Sequence, residues 1–110
     1  KPNDAHKFIA YLEEKGLLKG VITQNIDNLH QEAGSKKVVE FHGTASKMEC
    51  MNCKSKFPSK DINLDELPPM CPKCFGLLKP DFVFFKEPIP ADALEESLNM
   101  CQKADCVIVI

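Results

Sequence analysis

The 110-residue sequence contains no run of roughly 18 or more apolar residues, so no membrane-spanning helix is expected. It has no excess of one charge. Fourteen Lys and Arg stand against 16 Asp and Glu, for a net charge of −2, so nothing points to nucleic acid as the main partner. Glycine is scarce. The five glycines, at 16, 20, 34, 43 and 76, form no G-x-G pattern, so a glycine-rich loop for cradling nucleotide phosphates is missing. There is no internal repeat or low-complexity tract. The sequence does not begin with Met, so the lack of a signal peptide carries no information about compartment. Apolar content of 44% and charged content of 27% are ordinary for a globular protein.

Helix and strand patterns alternate along the first part of the chain. Ala5, Phe8, Ile9 and Leu12 recur at helical spacing, predicting an amphipathic helix over 4–15, capped by Asn3 or Asp4 and ended by Gly16. A strand over 20–24 follows, then a short helix within 27–33 closed by Gly34, then a second strand over 38–41 running into His42-Gly43. This order predicts crossover units and a parallel sheet. Segment 82–85 reads as an apolar strand or extended segment closed by Pro88 and Pro90. A helix over about 91–104 presents Leu94, Leu98 and Cys101 on one face and feeds a strand over 106–110. Cys101 and Cys106 read as buried, inert thiols. The sequence stops on the apolar run 107–110 with no turn after it. Ligand loops follow the C-terminal ends of parallel strands, so the chain reads as an excerpt from a larger α/β enzyme.

Segment 44–79 is different in character, with four cysteines, many lysines, the stiff "LPPMCP" and few apolar residues for a core. It needs a staple. "CMNC" (Cys50, Cys53) and "CPKC" (Cys71, Cys74), separated by 17 residues, have the spacing of two zinc knuckles. Each CxxC turn aims two sulfurs at one point, and four protein ligands leave no open position, so such a zinc is structural. Two disulfides or four unrelated thiols are the alternative. Lys47, Lys54, Lys56, Lys60 and Lys73 solvate the segment's surface; no aromatic interleaving supports a nucleic-acid contact.

The stretch "GVITQNIDNLHQEAG" (20–34) begins as a buried strand and breaks into Gln24, Asn25, Asp27, Asn28 and His30. So many hydrogen-bonding side chains at the mouth of an apolar strand suit a ligand. Locally, Asn25 and Asp27 suit Asx turns and a helix cap equally well. By itself His42 suits a structural role, as do His30 in the polar loop and His6 on its helix.

Taken in order, "TQNIDNLHQEAG" (23–34), "FHG" (41–43), the paired knuckles and "LKPDFVFF" (78–85) resemble the sirtuins, NAD-dependent protein lysine deacylases. "KPNDAH" (1–6) resembles the family's segment before the first helix, and the resemblance covers essentially the whole chain. It implies an α/β fold in which a partial Rossmann-like parallel sheet carries a small inserted four-cysteine zinc-binding module. The implied division is 1–43 and 80–110 in the NAD-binding domain, with 44–79 as the insert. It implies that Gln24, Asn25, Ile26 and Asp27 form the nicotinamide and ribose pocket, with Asn25 and Asp27 toward the nicotinamide and Gln24 toward the ribose. His42 matches the catalytic histidine. Val83, Phe84 and Phe85 match the substrate-binding segment, Val83 by a backbone contact to the acyl-lysine amide and Phe85 as a wall of the tunnel. The implied cofactors are NAD and one structural zinc, and the implied partner is an acyl-lysine protein or peptide. The expected compartment is the cytoplasm, or the nucleus as well in a eukaryotic source.

In the family reaction the acyl oxygen attacks the ribose carbon as nicotinamide leaves, and a ribose hydroxyl then needs a base. Histidine, with an ordinary pKa of ~6.5, suits that step. A histidine just after a strand, with a flexible Gly43 behind it, would stand at the sheet's ligand edge. Asp and Asn side chains can satisfy a carboxamide from both sides.

Three features depart from the family. The upstream glycine-rich loop and the downstream Gly-Ser/Thr loop are absent, so the 110-residue chain alone is expected to be inactive. "FFKE" stands where the family usually has "FFGE", which puts Lys86 in place of a glycine near the substrate backbone. The competing reading is a zinc-stapled module that binds protein or nucleic acid without catalysis.

Overall fold

The structure, a computed structural model, describes residues 1–65 and 67–110. Helix α1 spans Asp4–Glu14. Asn3 starts it with a reciprocal cap: its side chain accepts from the His6 backbone N–H at 3.1 Å, while its own N–H donates to His6 Nδ1 at 3.3 Å. Gly16, at φ +72°, lies just beyond the helix end, where a left-handed turn suits glycine. The expected apolar face is only half covered: Ile9 and Leu12 are half-buried, whereas Ala5 and Phe8 are exposed.

Strand β1 (Val21–Thr23) pairs in parallel with β2 (Val38–Glu40), with Val21 opposite Val38 and Thr23 opposite Glu40. The expected parallel arrangement is therefore present. Helix α2 (Leu29–Glu32) lies in the connection, which Gly34 leaves at φ +110°. Glu13 anchors α1 to the start of β2, accepting from the backbone N–H groups of Lys36 and Lys37 at 2.9 and 2.8 Å.

From Gly43 the chain builds a second, antiparallel sheet in the order β4-β3-β5, from β3 (Gly43–Cys50), β4 (Lys56–Pro58) and β5 (Leu78–Phe82). Met48, Cys50, Cys71 and Leu78 form its buried centre, with Phe57, Ile62 and Cys74 packed alongside. Two of these four buried side chains are cysteines, so apolar burial is thin and the staple is needed, as the composition of 44–79 predicts. Lys56 on β4 reaches across to Asp81 on β5 at 2.9 Å and tightens the sheet.

Helix α3 spans Ala91–Gln102 and packs against β2, burying Ser97. Met100 of this helix lies against Gly20, leaving no room there for a Cβ. Three expectations fail around α3. Leu94, Leu98 and Cys101 are exposed, so the predicted apolar face is uncovered among the described residues. Segment 106–110 forms no strand and is exposed throughout, Cys106 with it. A strand exists only where a neighbour completes its backbone hydrogen bonds, and here none does. Segment 82–85 is also not one strand: β5 ends at Phe82, and a turn follows, closed by Glu87 N–H donating to the Phe84 carbonyl at 3.0 Å. Among the described residues no helix is long and apolar enough to cross a membrane.

Candidate functional site

The polar loop after β1 is clamped from two sides. Asn28 adopts the left-handed conformation, φ +60°, which Asn tolerates better than most residues. Its side-chain nitrogen donates to Glu40 of β2 at 2.7 Å, and its side-chain oxygen accepts from the Thr44 hydroxyl of β3 at 2.7 Å. Gln31 donates to the same Glu40 oxygen at 2.8 Å. The Ile26 carbonyl accepts from Ala45 N–H at 3.0 Å, a second tie to β3. Thr44 is only 2% exposed, so these bonds are shielded from competing water. Asn28, Glu40 and Thr44 thus hold the loop. Of the three, only Asn28 stands out in the sequence, and only as one polar residue among several. Its readable signal is an Asn just before a helix; its pairing with Glu40 and Thr44 is long-range and has no local signature.

With the loop fixed, Gln24 and Asn25 are exposed, and no hydrogen bond among the described residues uses their side chains. The Asn25 backbone N–H donates to the Thr23 hydroxyl at 3.1 Å. Asp27 serves the local role anticipated for it: one carboxylate oxygen accepts from Leu29 N–H at 3.0 Å, starting α2. A carboxylate has a second oxygen, so this Asx turn leaves Asp27 able to accept from a ligand. His30 lies behind, its ring 4.8 Å from that of His6 and its Nδ1 buried without a hydrogen-bond partner. Burial pulls its pKa below the usual histidine value, nearby His6 adds to this, and Asp27 opposes it.

His42 follows β2 in a two-residue turn. Its carbonyl accepts from Val83 N–H at 2.9 Å, and its ring lies 5.7 Å from that of Phe41. Gly43, behind it, has φ +76° and pairs with Phe82. A Cβ on Gly43 would collide with the Asp81 carbonyl and come within 2.9 Å of Phe82 Cα. Gly43 therefore serves close strand approach rather than the flexibility expected of it. The contact draws His42 and Val83 together. Val83 N–H is committed to His42, which leaves its carbonyl as the backbone group without a backbone partner among the described residues. Phe84 is partly exposed and Phe85 fully so.

The four knuckle cysteines converge. Their ligand atoms lie within 4.8 Å of one another, with Cys50 and Cys74 sulfurs 3.5 Å apart and Cys53 and Cys71 sulfurs 3.7 Å apart. A disulfide needs about 2.05 Å, so none is formed. A zinc–sulfur distance of about 2.3 Å puts tetrahedral sulfurs about 3.8 Å apart, which these separations fit. The two turns close in the same way. Lys54 and Phe75, each just after its second cysteine, have φ +59° and +58°, and their N–H groups donate to the carbonyls of Cys50 and Cys71 at 3.0 and 2.9 Å. Backbone N–H groups of Cys53 and Lys73 also donate to the Cys50 and Cys71 sulfurs, both at 3.4 Å. Hydrogen bonds from the Ser55 hydroxyl and backbone lower the Cys53 thiol to about 6. The Cys53 backbone pulls Cys50 down, but burial and the neighbouring thiols push it up to about 11. Sulfurs this close disfavour joint ionisation, and a divalent cation offsets that repulsion.

A sequence profile described as "Sir2 family" matches residues 1–110. The chain is 48% identical over 117 residues to an NAD-dependent protein deacylase of Thermococcus kodakarensis, covering 100% of this chain and 45% of that protein. It is 47% identical over 113 residues to an NAD-dependent protein deacetylase of Thermotoga maritima, covering 100% of this chain and 46% of that protein. The chain thus spans less than half the length of these relatives. Among solved structures, one described as "Sir2-p53 peptide-NAD+" superposes with a TM-score of 0.85 at 47% identity, covering 94% of this chain and 44% of that one. Another, a mutant Sir2 homologue in complex with ADP-ribose, gives 0.88 at 39% identity over 94% of this chain and 42% of the other. With a match that runs from the first residue to the last, the chain belongs to the Sir2 family.

Proposed function

We propose that the intact protein containing this chain is an NAD-dependent protein lysine deacylase, which moves an acyl group from a lysine side chain to ADP-ribose and releases nicotinamide. The observation that carries this reading is the 2.9 Å bond between His42 and Val83, formed beside the clamped loop 24–28. It brings a candidate base and a candidate acyl-lysine contact together across the β3–β5 junction. The relatives support it: solved Sir2 structures include one with an acetylated peptide and one with 2'-O-acetyl-ADP-ribose and a deacetylated peptide.

NAD supplies the electrophilic ribose carbon and the nicotinamide leaving group. Asn25 and the second oxygen of Asp27 receive the carboxamide, Gln24 reaches the ribose, and Ile26 holds the loop to β3 through its carbonyl. The Val83 carbonyl accepts the acyl-lysine amide N–H, which orients the acyl oxygen, while Phe84 and Phe85 exclude water from the lysine stem. His42 takes the proton from the ribose hydroxyl that captures the acyl group. Cys50, Cys53, Cys71 and Cys74 hold one structural zinc that fixes the sheet carrying Val83. Segments 1–43 and 80–110 belong to the NAD-binding domain and 44–79 to the zinc module. Four cysteines gathered for a metal and two thiols outside any disulfide suit a reducing compartment, the cytoplasm. No residue here supplies a glycine-rich phosphate loop, so the 110-residue chain alone is inactive.

The test is turnover of an acetyl-lysine peptide with NAD by the intact protein and by its Asn25→Ala and Asp27→Ala variants. Each variant is expected to lose at least about 100-fold in kcat/KM, a difference of roughly 2.7 kcal/mol, with zinc content unchanged. Turnover by both at the parent rate contradicts these assignments.

A further inference from the structure

Lys86 occupies a backbone position that disfavours it. The turn 84–87, closed by Glu87 N–H to the Phe84 carbonyl at 3.0 Å, has Lys86 as its third residue at φ +71°. That is the type II position, where glycine fits and other side chains are strained. Strain retained next to a candidate site is a pointer to function. The charges around the turn are unequal. Glu87 is already neutralised: its two oxygens accept from Lys79 at 2.9 and 2.8 Å, and one also accepts from Phe84 N–H at 3.0 Å. Lys86 is exposed, and none of the ion pairs among the described residues includes it. The turn therefore carries one uncompensated positive charge beside the exposed Phe85. It extends from β5, an edge strand whose outer side meets Pro69 at Leu78, far from the turn, and has no strand paired to it among the described residues.

We infer that Lys86 is a specificity residue that favours protein substrates with Asp or Glu two or three residues from the acylated lysine. The inference rests on the deacylase reading, which sets the acyl-lysine at Val83. Lys86 lies three positions after Val83, at most about 10 Å of chain. An extended peptide advances about 3.3 Å per residue, so the ammonium faces positions two to three residues away. An exposed pair contributes a factor of about two to five, and a lysine in the same peptide position is repelled in turn.

The experiment compares kcat/KM of the intact protein for acetyl-lysine peptides with Glu or Lys at the second and third positions on either side. The Glu-over-Lys ratio is expected to be about three- to ten-fold at low salt and to shrink near 1 M salt, where screening acts within about 3 Å. Lys86→Gly, which suits the turn, should bring the ratio near one, and Lys86→Glu should invert it. A ratio unchanged in both variants overturns the inference. Turnover of all peptides with no preference in the parent protein overturns it and leaves the deacylase reading standing. No turnover of any peptide overturns both.

Discussion

His30 shows how a residue behind the polar loop is tuned by its surroundings. Its Nδ1 is buried without a partner and it faces His6, so the folded protein binds a proton at His30 less readily than the unfolded chain does. With the folded pKa below the ordinary ~6.5, the unfolded chain takes up the proton first as pH falls. Stability is thus fully present above about pH 6.5 and declines as pH drops toward the lower folded value. Thermal melts from about pH 7.5 to 5 are expected to show this fall, and His30→Gln should flatten it. An equal slope in the variant would assign the fall to other groups. Asp27 counteracts part of the effect through its charge, so loss of that charge should steepen the decline.

At the scale of elements, the junction between β3 and β5 is the most constrained point. Gly43 combines φ +76° with a backbone approach that leaves no space for a methyl group. Gly43→Ala is expected to cost at least about 2 kcal/mol and to loosen the His42–Val83 bond, lowering kcat as well as the melting temperature. A variant with parent stability would show that the strands can part there without penalty. The zinc knuckles act on the same sheet from its other end. Binding at such sites is coupled to folding by on the order of 10 kcal/mol. One zinc per chain is therefore expected, and a chelator should remove it together with the β3–β5 sheet signal in circular dichroism. Full structure after chelation would contradict a stapling role.

Which of these elements could be read in advance follows from how local their causes are. The α1 cap, the paired knuckles and the parallel β1–β2 order have local signatures: an Asn before an apolar helical repeat, a CxxC spacing and a helix between two short apolar runs. The Asx turn made by Asp27 was legible for the same reason, and because it takes one carboxylate oxygen it leaves the other for a ligand. The Asn28–Glu40–Thr44 clamp was not legible, since its members are up to 16 residues apart and meet only after β1 and β2 pair. Gly43 reads as flexible because sequence shows glycine but not the strand that packs against it. The burial expected for Leu94, Leu98, Cys101 and 106–110 failed for the converse reason: an apolar pattern records that a face wants a partner, and the described residues contain none for it.

For the whole molecule, the chain joins a parallel pair that presents the polar loop to an antiparallel, cysteine-centred sheet that presents Val83. His42 stands at the crossing. Phe8, Tyr11, Leu94, Leu98 and the apolar run 107–110 all remain exposed, consistent with a chain that spans 45% of its Thermococcus kodakarensis relative. The central claim is that His42 serves as the base in an NAD-consuming acyl transfer. The most direct test is to measure nicotinamide release and peptide deacetylation together, in the intact protein and its His42→Ala variant. One nicotinamide per acetyl group removed is expected in the parent, and a loss of about 10² to 10⁴ in the deacetylation rate of the variant, with zinc and melting temperature retained. Deacetylation in the variant at the parent rate, or deacetylation in the parent without NAD, would contradict it.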